Sequence, residues 1–166
     1  MKRNNGTFVS RIWERIRGNG ARQGAFIEGL LSERSFEEQL LKERARSDRG
    51  GGTFCMVVID IPLPRGSTAH QQAAWVLASA LHDRTRIIDT KGWFGDRVAV
   101  ILPNTAPGHV GKIWNDIRQL FQKRVQPRDA DSPLKINLTH EIYVYPSDGA
   151  GKALHEATGR FRSAAE

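Results

Sequence analysis

The sequence predicts an α+β domain with one antiparallel sheet and helices packed against it. Apolar runs typical of strands occur in four places, and two of the segments between them have helical periodicity. The order of these elements is β-α-β-β-α-β, which is the split βαβ, or ferredoxin-like, arrangement. Further helical segments are predicted before the first strand and after the last one.

The strands are predicted from apolar runs and the residues that bound them. The run TFCMVVIDI at 53–61 lies between glycines and prolines and predicts a buried central strand. Residues 85–90 and 97–102 predict two more strands, and KGWFGD at 91–96 supplies glycines for a hairpin between them. The alternating segment 134–145 predicts the fourth strand.

Helix signals complete the pattern. Ser67 or Thr68 can cap the helix that follows the first strand, and another helix is predicted after Pro103, which ends the third strand. Residues 25–47 predict a helix before the first strand, which the glycines at 50–52 end.

The charge is unevenly distributed. The 166 residues carry 25 Lys and Arg against 18 Asp and Glu, a formal net charge of +7. Six basic residues and one acidic residue fall in residues 1–22, so residues 23–166 are close to neutral. A nucleic-acid-binding domain would carry the excess on its folded body, and we therefore expect no nucleic-acid partner. We assign 1–33 to a basic helical extension and 34–166 to the domain.

Residues 7–17 place apolar side chains at helical spacing with arginines between them, which predicts a basic amphipathic helix. Docking on the domain or on a second subunit, and weak contact with an anionic membrane surface, are both compatible with it. The single cysteine, Cys55, excludes an internal disulfide and a multi-cysteine zinc site. No secretory signal is evident, and we expect a cytoplasmic protein of bacterial type.

Segments of the sequence resemble GGDEF domains, which belong to the nucleotide cyclase palm superfamily. The resemblance covers about residues 35–150 and is carried by LLKERARSDRGGGTFCMVVIDI, RIIDTKGWFGDRVAVILPNT and LTHEIYVYPSDG. In that order they are similar to the family's first helix and strand, central hairpin and later strand. The resemblance implies a palm domain whose active members, the diguanylate cyclases, make cyclic di-GMP from two GTP molecules.

The resemblance places Asp60 at the first metal-binding aspartate and Asp96 at the third letter of the signature. The five signature letters are here Phe94, Gly95, Asp96, Arg97 and Val98. Arg97 thus replaces a glutamate, and like charges about 4 Å apart repel by about 1–4 kcal/mol. We therefore expect a degenerate, inactive site with no catalytic residue, no metal and no cofactor. Magnesium would bind only if the site kept residual activity. Asp60 and Asp96 are interpreted as remnants that local backbone donors satisfy.

Arg86 and Asp89 form an R-x-x-D motif, which in active members of the family binds cyclic di-GMP. An arginine fork on phosphate and a carboxylate on a guanine edge suit that ligand. The same two residues can instead form a pair with each other.

Aromatic residues near the hairpin leave two alternatives open. Trp93 and Phe94 are either exposed for contact with a partner or packed on the neighbouring helix. Trp75 lies beside the apolar face of a predicted helix, and we expect it to pack in the core.

The function expected from these observations is that of a catalytically inactive GGDEF-like regulatory domain. It would bind a protein partner, or associate with itself, in second-messenger signalling or exopolysaccharide control. Two alternatives stay open: a cyclic di-GMP receptor that uses Arg86 and Asp89, and a weakly active cyclase that uses Asp60 and Asp96.

Overall fold

The computed structural model describes residues 26–50, 52–125 and 135–146. The elements along the chain are α1 (Glu33–Asp48), β1 (Phe54–Asp60), α2 (Thr68–Arg84), β2 (Thr90–Phe94), β3 (Arg97–Pro103), α3 (Pro107–Val125) and β4 (Thr139–Tyr145). The strands form one antiparallel sheet in the order β2-β3-β1-β4. This topology confirms the predicted fold class.

Some predictions fall on other parts of the chain. The amphipathic helix at 7–17 and the terminal helix after residue 150 lie outside the described residues. The division of the chain at residues 33 and 34 stays a prediction. Among the helices that the structure describes, none has the length and apolar character needed to cross a bilayer.

The sheet is covered on both faces. One apolar cluster joins it to α2 and α3 and includes Val57, Ile59, Leu77 and Phe121. The other joins it to α1 on the opposite face and includes Phe36, Leu40, Met56 and Val58. Because side chains alternate along a strand, β1 supplies both clusters, and this explains its continuous apolar sequence.

Helix α1 begins later than the segment 25–47 predicts. The Ser32 hydroxyl caps it by accepting a hydrogen bond from the Ser35 N–H at 3.2 Å. Ahead of this cap, the Leu30 N–H donates to the Ile27 carbonyl at 3.0 Å, which closes a turn. Ile27 and Leu30 are buried in the cluster with α2 and α3. Their apolar spacing therefore reflects a packed turn and not a helix.

The segment before α1 also extends the edge of the sheet. The Leu31 N–H donates to the Lys91 carbonyl at 2.9 Å, and the Trp93 N–H donates to the Leu31 carbonyl at 3.0 Å. This parallel bridge places Leu31 beside Gly92 of β2. The edge of β2 is therefore covered at this point by the chain's own backbone.

The prediction of a strand at 85–90 is wrong. The Asp89 carboxylate accepts a hydrogen bond from the Arg86 N–H at 2.7 Å, and the Asp89 N–H donates to the Arg86 carbonyl at 3.0 Å. These local bonds close a turn and compete with a strand ladder. Strand β2 consequently starts at Thr90 and takes up most of the predicted loop, while Gly95, at a φ of 67°, begins the hairpin turn.

The two aromatic alternatives are thereby decided. Trp93 is 5% exposed and Phe94 is 3% exposed, because both belong to β2 and point to opposite faces of the sheet. The Phe94 ring packs edge-on against Phe36 of α1 at 6.3 Å between centroids. The partner-contact alternative for this pair is wrong. The core assignment of Trp75 is also wrong, since it lies on the outward side of α2 and is 61% exposed.

Gly92 allows α1 to approach the sheet closely. A Cβ at this position would lie 2.8 Å from the Phe36 Cβ and 3.0 Å from the Leu31 Cβ. We expect Gly92→Ala to lower the free energy of unfolding by about 1–3 kcal/mol, as overpacking of a core does. Urea denaturation followed by circular dichroism measures the change.

The matched control is Gly111→Ala, at a helical position of α3 where an added Cβ meets nothing within 4 Å. The free energy of unfolding of this variant should rise by about 0.5–1 kcal/mol, because alanine has a higher helix propensity than glycine. Equal stability of the Gly92→Ala variant and the unaltered chain would contradict the close approach.

Candidate functional site

An open cleft of about 340 Å³ lies at the end of the sheet where β1 stops and the β2–β3 hairpin turns. It is lined by Val58, Asp60, Arg65, Asp96, Arg97, Thr139, His140 and Glu141. The antiparallel pairing explains this grouping, because the end of β1 lies between the start of β3 and the start of β4. The two acids predicted from the sequence therefore line one cleft.

Asp60 is the last residue of β1. Its Cα is paired with Thr139 of β4, and the pairing of Ile59 with Val98 brings Arg97 next in register on the other side. Within the part of the chain that the structure describes, the Asp60 carboxylate makes no hydrogen bond and no ion pair. The expectation that a backbone donor satisfies it is wrong for the described residues.

Asp96 lies in the hairpin turn and pairs with a cation. Its carboxylate forms an ion pair with Arg65, from the loop between β1 and α2. A side-chain guanidinium, and not a local backbone donor, is therefore its described partner. The neighbouring Gly95 N–H donates to the Glu33 carboxylate at 2.8 Å, which ties the turn to the start of α1.

A second ion pair crosses the sheet. Arg97 of β3 donates to the Glu141 carboxylate of β4 at 3.1 Å, and the Tyr143 hydroxyl donates to the same oxygen. Burial opposes ionisation of Glu141, but the hydrogen bonds from Tyr143 and Arg97 outweigh it and hold its pKa below the ordinary value. Burial and the bond to Glu141 raise the pKa of Tyr143.

The cleft does not fit the divalent metal that the resemblance implies. Magnesium takes oxygen ligands in octahedral geometry and usually binds through one or two carboxylates. Asp96 and Glu141 are each held by a guanidinium, which leaves Asp60 as the one carboxylate of the lining without a described partner. Across the described ranges, no group of three or more His, Cys, Asp or Glu side chains is placed to hold a metal ion.

Comparison with known proteins places this architecture. Neither a family model nor a curated protein sequence matches the chain. Solved structures do match. The GGDEF domain of DgcB from Caulobacter crescentus, in complex with c-di-GMP, aligns with a TM-score of 0.60 at 23% identity, over 82% of this chain and 87% of that one.

Two further solved structures agree. The diguanylate cyclase SiaD from Pseudomonas aeruginosa, in complex with its activator SiaC, has a TM-score of 0.60 at 18% identity, over 91% of this chain and 64% of that one. The active GGEEF domain of a Vibrio cholerae diguanylate cyclase has a TM-score of 0.58 at 17% identity, over 77% of this chain and 90% of that one.

The chain has the GGDEF-domain fold. These matches also agree with the family resemblance noted in the sequence.

The ion pairs and hydrogen bonds of the cleft involve three residues that were not predicted as site residues: Arg65, Glu141 and Tyr143. The available signal was the arginine of the altered signature. A partly buried cation is stabilised by a carboxylate partner, and Glu141 belongs to the segment predicted as the fourth strand. The loop that carries Arg65 has no periodicity, so no sequence pattern could place it over Asp96.

His140 of β4 lines the cleft, but its ring lies on the face of the sheet that packs against α3. It stacks on Trp114 of α3 at 4.3 Å between centroids. Burial, with a smaller effect of Arg118, lowers the pKa of His140. Burial also lowers the pKa of His70, at the start of α2. Burial therefore favours the neutral form of both imidazoles.

This packing predicts a pH-dependent stability. The folded state lowers the pKa of His140 below its value in the unfolded chain, which is about 6.5. The contribution of this residue to the free energy of unfolding is therefore complete above about pH 6.5 and is lost as the pH falls below that value. We expect His140→Phe to keep the stacked ring and to lose less stability between about pH 7.5 and 5 than the unaltered chain. Thermal unfolding at several pH values measures the slope of stability against pH.

His109→Phe is the matched control, since His109 is an exposed residue of the same helix as Trp114. Its slope should equal that of the unaltered chain. The slope of the His140→Phe variant should not vanish, because His70 titrates in the same direction. Identical slopes for both variants would contradict the role of His140.

The R-x-x-D residues of this GGDEF fold lie at the far end of β2. Asp89 has a side chain that is 2% exposed, and it accepts a hydrogen bond from Arg86 Nη2 at 3.2 Å. The same nitrogen donates to the Pro103 carbonyl at 2.9 Å and to Thr105 Oγ1 at 2.7 Å. The structure shows the pairing alternative, with a buried carboxylate. Binding of cyclic di-GMP by these residues stays a prediction.

We expect Arg86→Ala to lower the free energy of unfolding by about 1–3 kcal/mol, because hydrogen bonds to charged groups contribute in that range and Asp89 would stay buried. Urea unfolding measures the loss. Arg84→Ala, which removes an exposed arginine at the end of α2, should change the stability by less than about 0.5 kcal/mol. Equal effects of the two substitutions would contradict the structural role of Arg86.

Proposed function

We propose that this chain is a catalytically inactive GGDEF-like domain that acts by binding a protein. The setting we propose is second-messenger signalling or the control of exopolysaccharide production. The observation that carries the proposal is the pair of guanidinium groups in the cleft, where Arg65 holds Asp96 and Arg97 holds Glu141.

The chemistry of a nucleotide cyclase explains why this observation matters. A 3′-hydroxyl attacks an α-phosphate and pyrophosphate leaves, so charge on the phosphates has to be offset. Metal ions held by carboxylates supply that charge in phosphoryl-transfer enzymes. The two ion pairs occupy two of the three carboxylates that line the cleft, and the charge of Arg97 opposes a divalent cation.

The backbone around the cleft supports the same conclusion. The loop after β1 closes on itself, because the Leu63 N–H donates to the Ile61 carbonyl at 2.8 Å and the Ser67 N–H donates to the Pro64 carbonyl at 3.1 Å. These donors are therefore engaged within the loop. In the altered signature, the ring of Phe94 is buried against α1 and belongs to the core. We infer that this residue supports the fold.

A binding role has support from the comparisons. The solved structure of SiaD contains its activator protein SiaC, so at least one protein of this fold associates with another protein. We propose the same kind of action for this chain, with the sheet and helices as a rigid scaffold.

Incubation of the purified chain with GTP and magnesium tests the proposal, with separation of the nucleotides by liquid chromatography. We expect no cyclic di-GMP, because the carboxylates of the cleft are paired with arginines. The active Vibrio cholerae domain serves as the positive control for the assay. Formation of cyclic di-GMP above the level of a protein-free sample would overturn the proposal.

Titration calorimetry with cyclic di-GMP and with GTP, with and without magnesium, tests the receptor alternative. We expect no heat of binding for either nucleotide. Heat with cyclic di-GMP that Arg84→Ala keeps and Arg86→Ala loses would favour the receptor function over the proposed one.

A further inference from the structure

The turn between α2 and β2 presents two apolar side chains to solvent. We call residues 86–89 the isoleucine turn. Its central residues are Ile87, which is fully exposed, and Ile88, which is 54% exposed. Turn centres usually carry glycine, proline or short polar side chains. Two adjacent exposed isoleucines are therefore not explained by the needs of the turn.

The isoleucine turn is held firmly at both ends. Asp89 accepts hydrogen bonds from the backbone N–H and from the guanidinium of Arg86, and the turn closes with a backbone hydrogen bond of 3.0 Å. Arg86 also donates to the Pro103 carbonyl and to Thr105, which anchors the turn to the end of β3. Little conformational entropy remains to be lost when a partner binds.

The charge beside the isoleucine turn is positive. Asp83 pairs with Arg124 of α3, and Asp89 pairs with Arg86, so the acids of this segment are neutralised. Arg84 is exposed, and the Lys91 ammonium donates to the Thr85 hydroxyl at 3.1 Å without a carboxylate partner among the described residues. A complementary surface would therefore be acidic around an apolar centre.

We propose that Ile87 and Ile88 insert into an apolar pocket, rimmed by acidic residues, on a partner protein. This inference rests on the proposed function, because it names the surface through which the domain would bind. The length of β2, about 17 Å at the usual rise per residue, separates the turn from the cleft. In this view Arg86 and Asp89 are positioning residues, which hold the two isoleucines in the exposed geometry.

A protein pocket suits these features better than a lipid surface does. Two isoleucines and two neighbouring cations would give only weak attachment to a bilayer, whose binding scales with the apolar area inserted. A pocket can enclose both side chains and meet both cations at its rim, as in interfaces with a buried centre and a polar border.

Selection from a phage-displayed library of random 12-residue peptides on the full chain tests the proposal. We expect enriched peptides that combine apolar residues with Asp and Glu. A synthetic peptide of the enriched sequence should bind Ile87→Ser and Ile88→Ser variants at least about tenfold more weakly than the unaltered chain, as hot-spot residues do. Arg86→Ala, which keeps both isoleucines and frees the turn, should also weaken binding.

Leu41→Ser is the matched control, because Leu41 is an exposed apolar residue of α1; its binding should be unchanged. Thermal unfolding confirms that the serine variants are folded. Enrichment of no peptide, or of peptides that ignore both isoleucines, would overturn the proposal. If peptide binding depends on the exposed Trp75 instead, the isoleucine turn is not the binding surface and this proposal is overturned. The proposed function as a protein-binding domain would still stand.

Two further measurements complete the test. Isoleucine-dependent binding to vesicles of anionic phospholipid, with no peptide selected, would overturn the proposal in favour of a membrane. An isoleucine-dependent dimer in sedimentation would overturn it in favour of a second copy of the chain. Production of cyclic di-GMP in the cyclase assay would overturn the proposed function. Isoleucine-dependent peptide binding would still support the isoleucine turn as a binding surface, and its absence would overturn that surface.

Discussion

Strand β1 pairs with β3 on one side and with β4 on the other, and its side chains alternate between two apolar clusters. Most of the remaining structure depends on this central position. Because the strand is buried on both faces, a shift of one residue in its register would exchange the side chains of the two clusters. The same register aligns its last residue, Asp60, with the starts of β3 and β4. The core therefore determines which side chains meet in the cleft.

The cleft combines carboxylates with guanidinium groups. Three carboxylates line it near the ends of neighbouring strands, and Arg65 and Arg97 pair with two of them. Each arginine is paired with its own carboxylate, whereas Asp60 has no such pair among the described residues. The two pairs link the loop after β1 to the hairpin turn, and β3 to β4.

Strand β2 connects two regions of different character. At one end its hairpin turn contributes Asp96 to the cleft, and at the other the pair of Arg86 and Asp89 holds the isoleucine turn. The aromatic residues follow the same division between inside and outside. Trp93 and Phe94 complete the two clusters beneath the strand, whereas Trp75 and the two isoleucines remain at the surface. Among the described residues, the exposed large apolar side chains do not line the cleft; besides Trp75 and the two isoleucines they include Leu41 of α1 and Phe26 ahead of it.

The order of the elements, the continuous apolar sequence of β1 and the altered signature with Arg97 were determined by the sequence alone, because they depend on local periodicity and residue type. The start of α1, the start of β2 and the exposure of the aromatic residues were decided only by the tertiary structure. Ser32 and Asp89 redirect the chain through side-chain hydrogen bonds, which compete with the apolar pattern. The pairing of Arg65 with Asp96 and of Arg97 with Glu141 also required the fold, since contacts between residues distant in the chain exist only after the strands have paired.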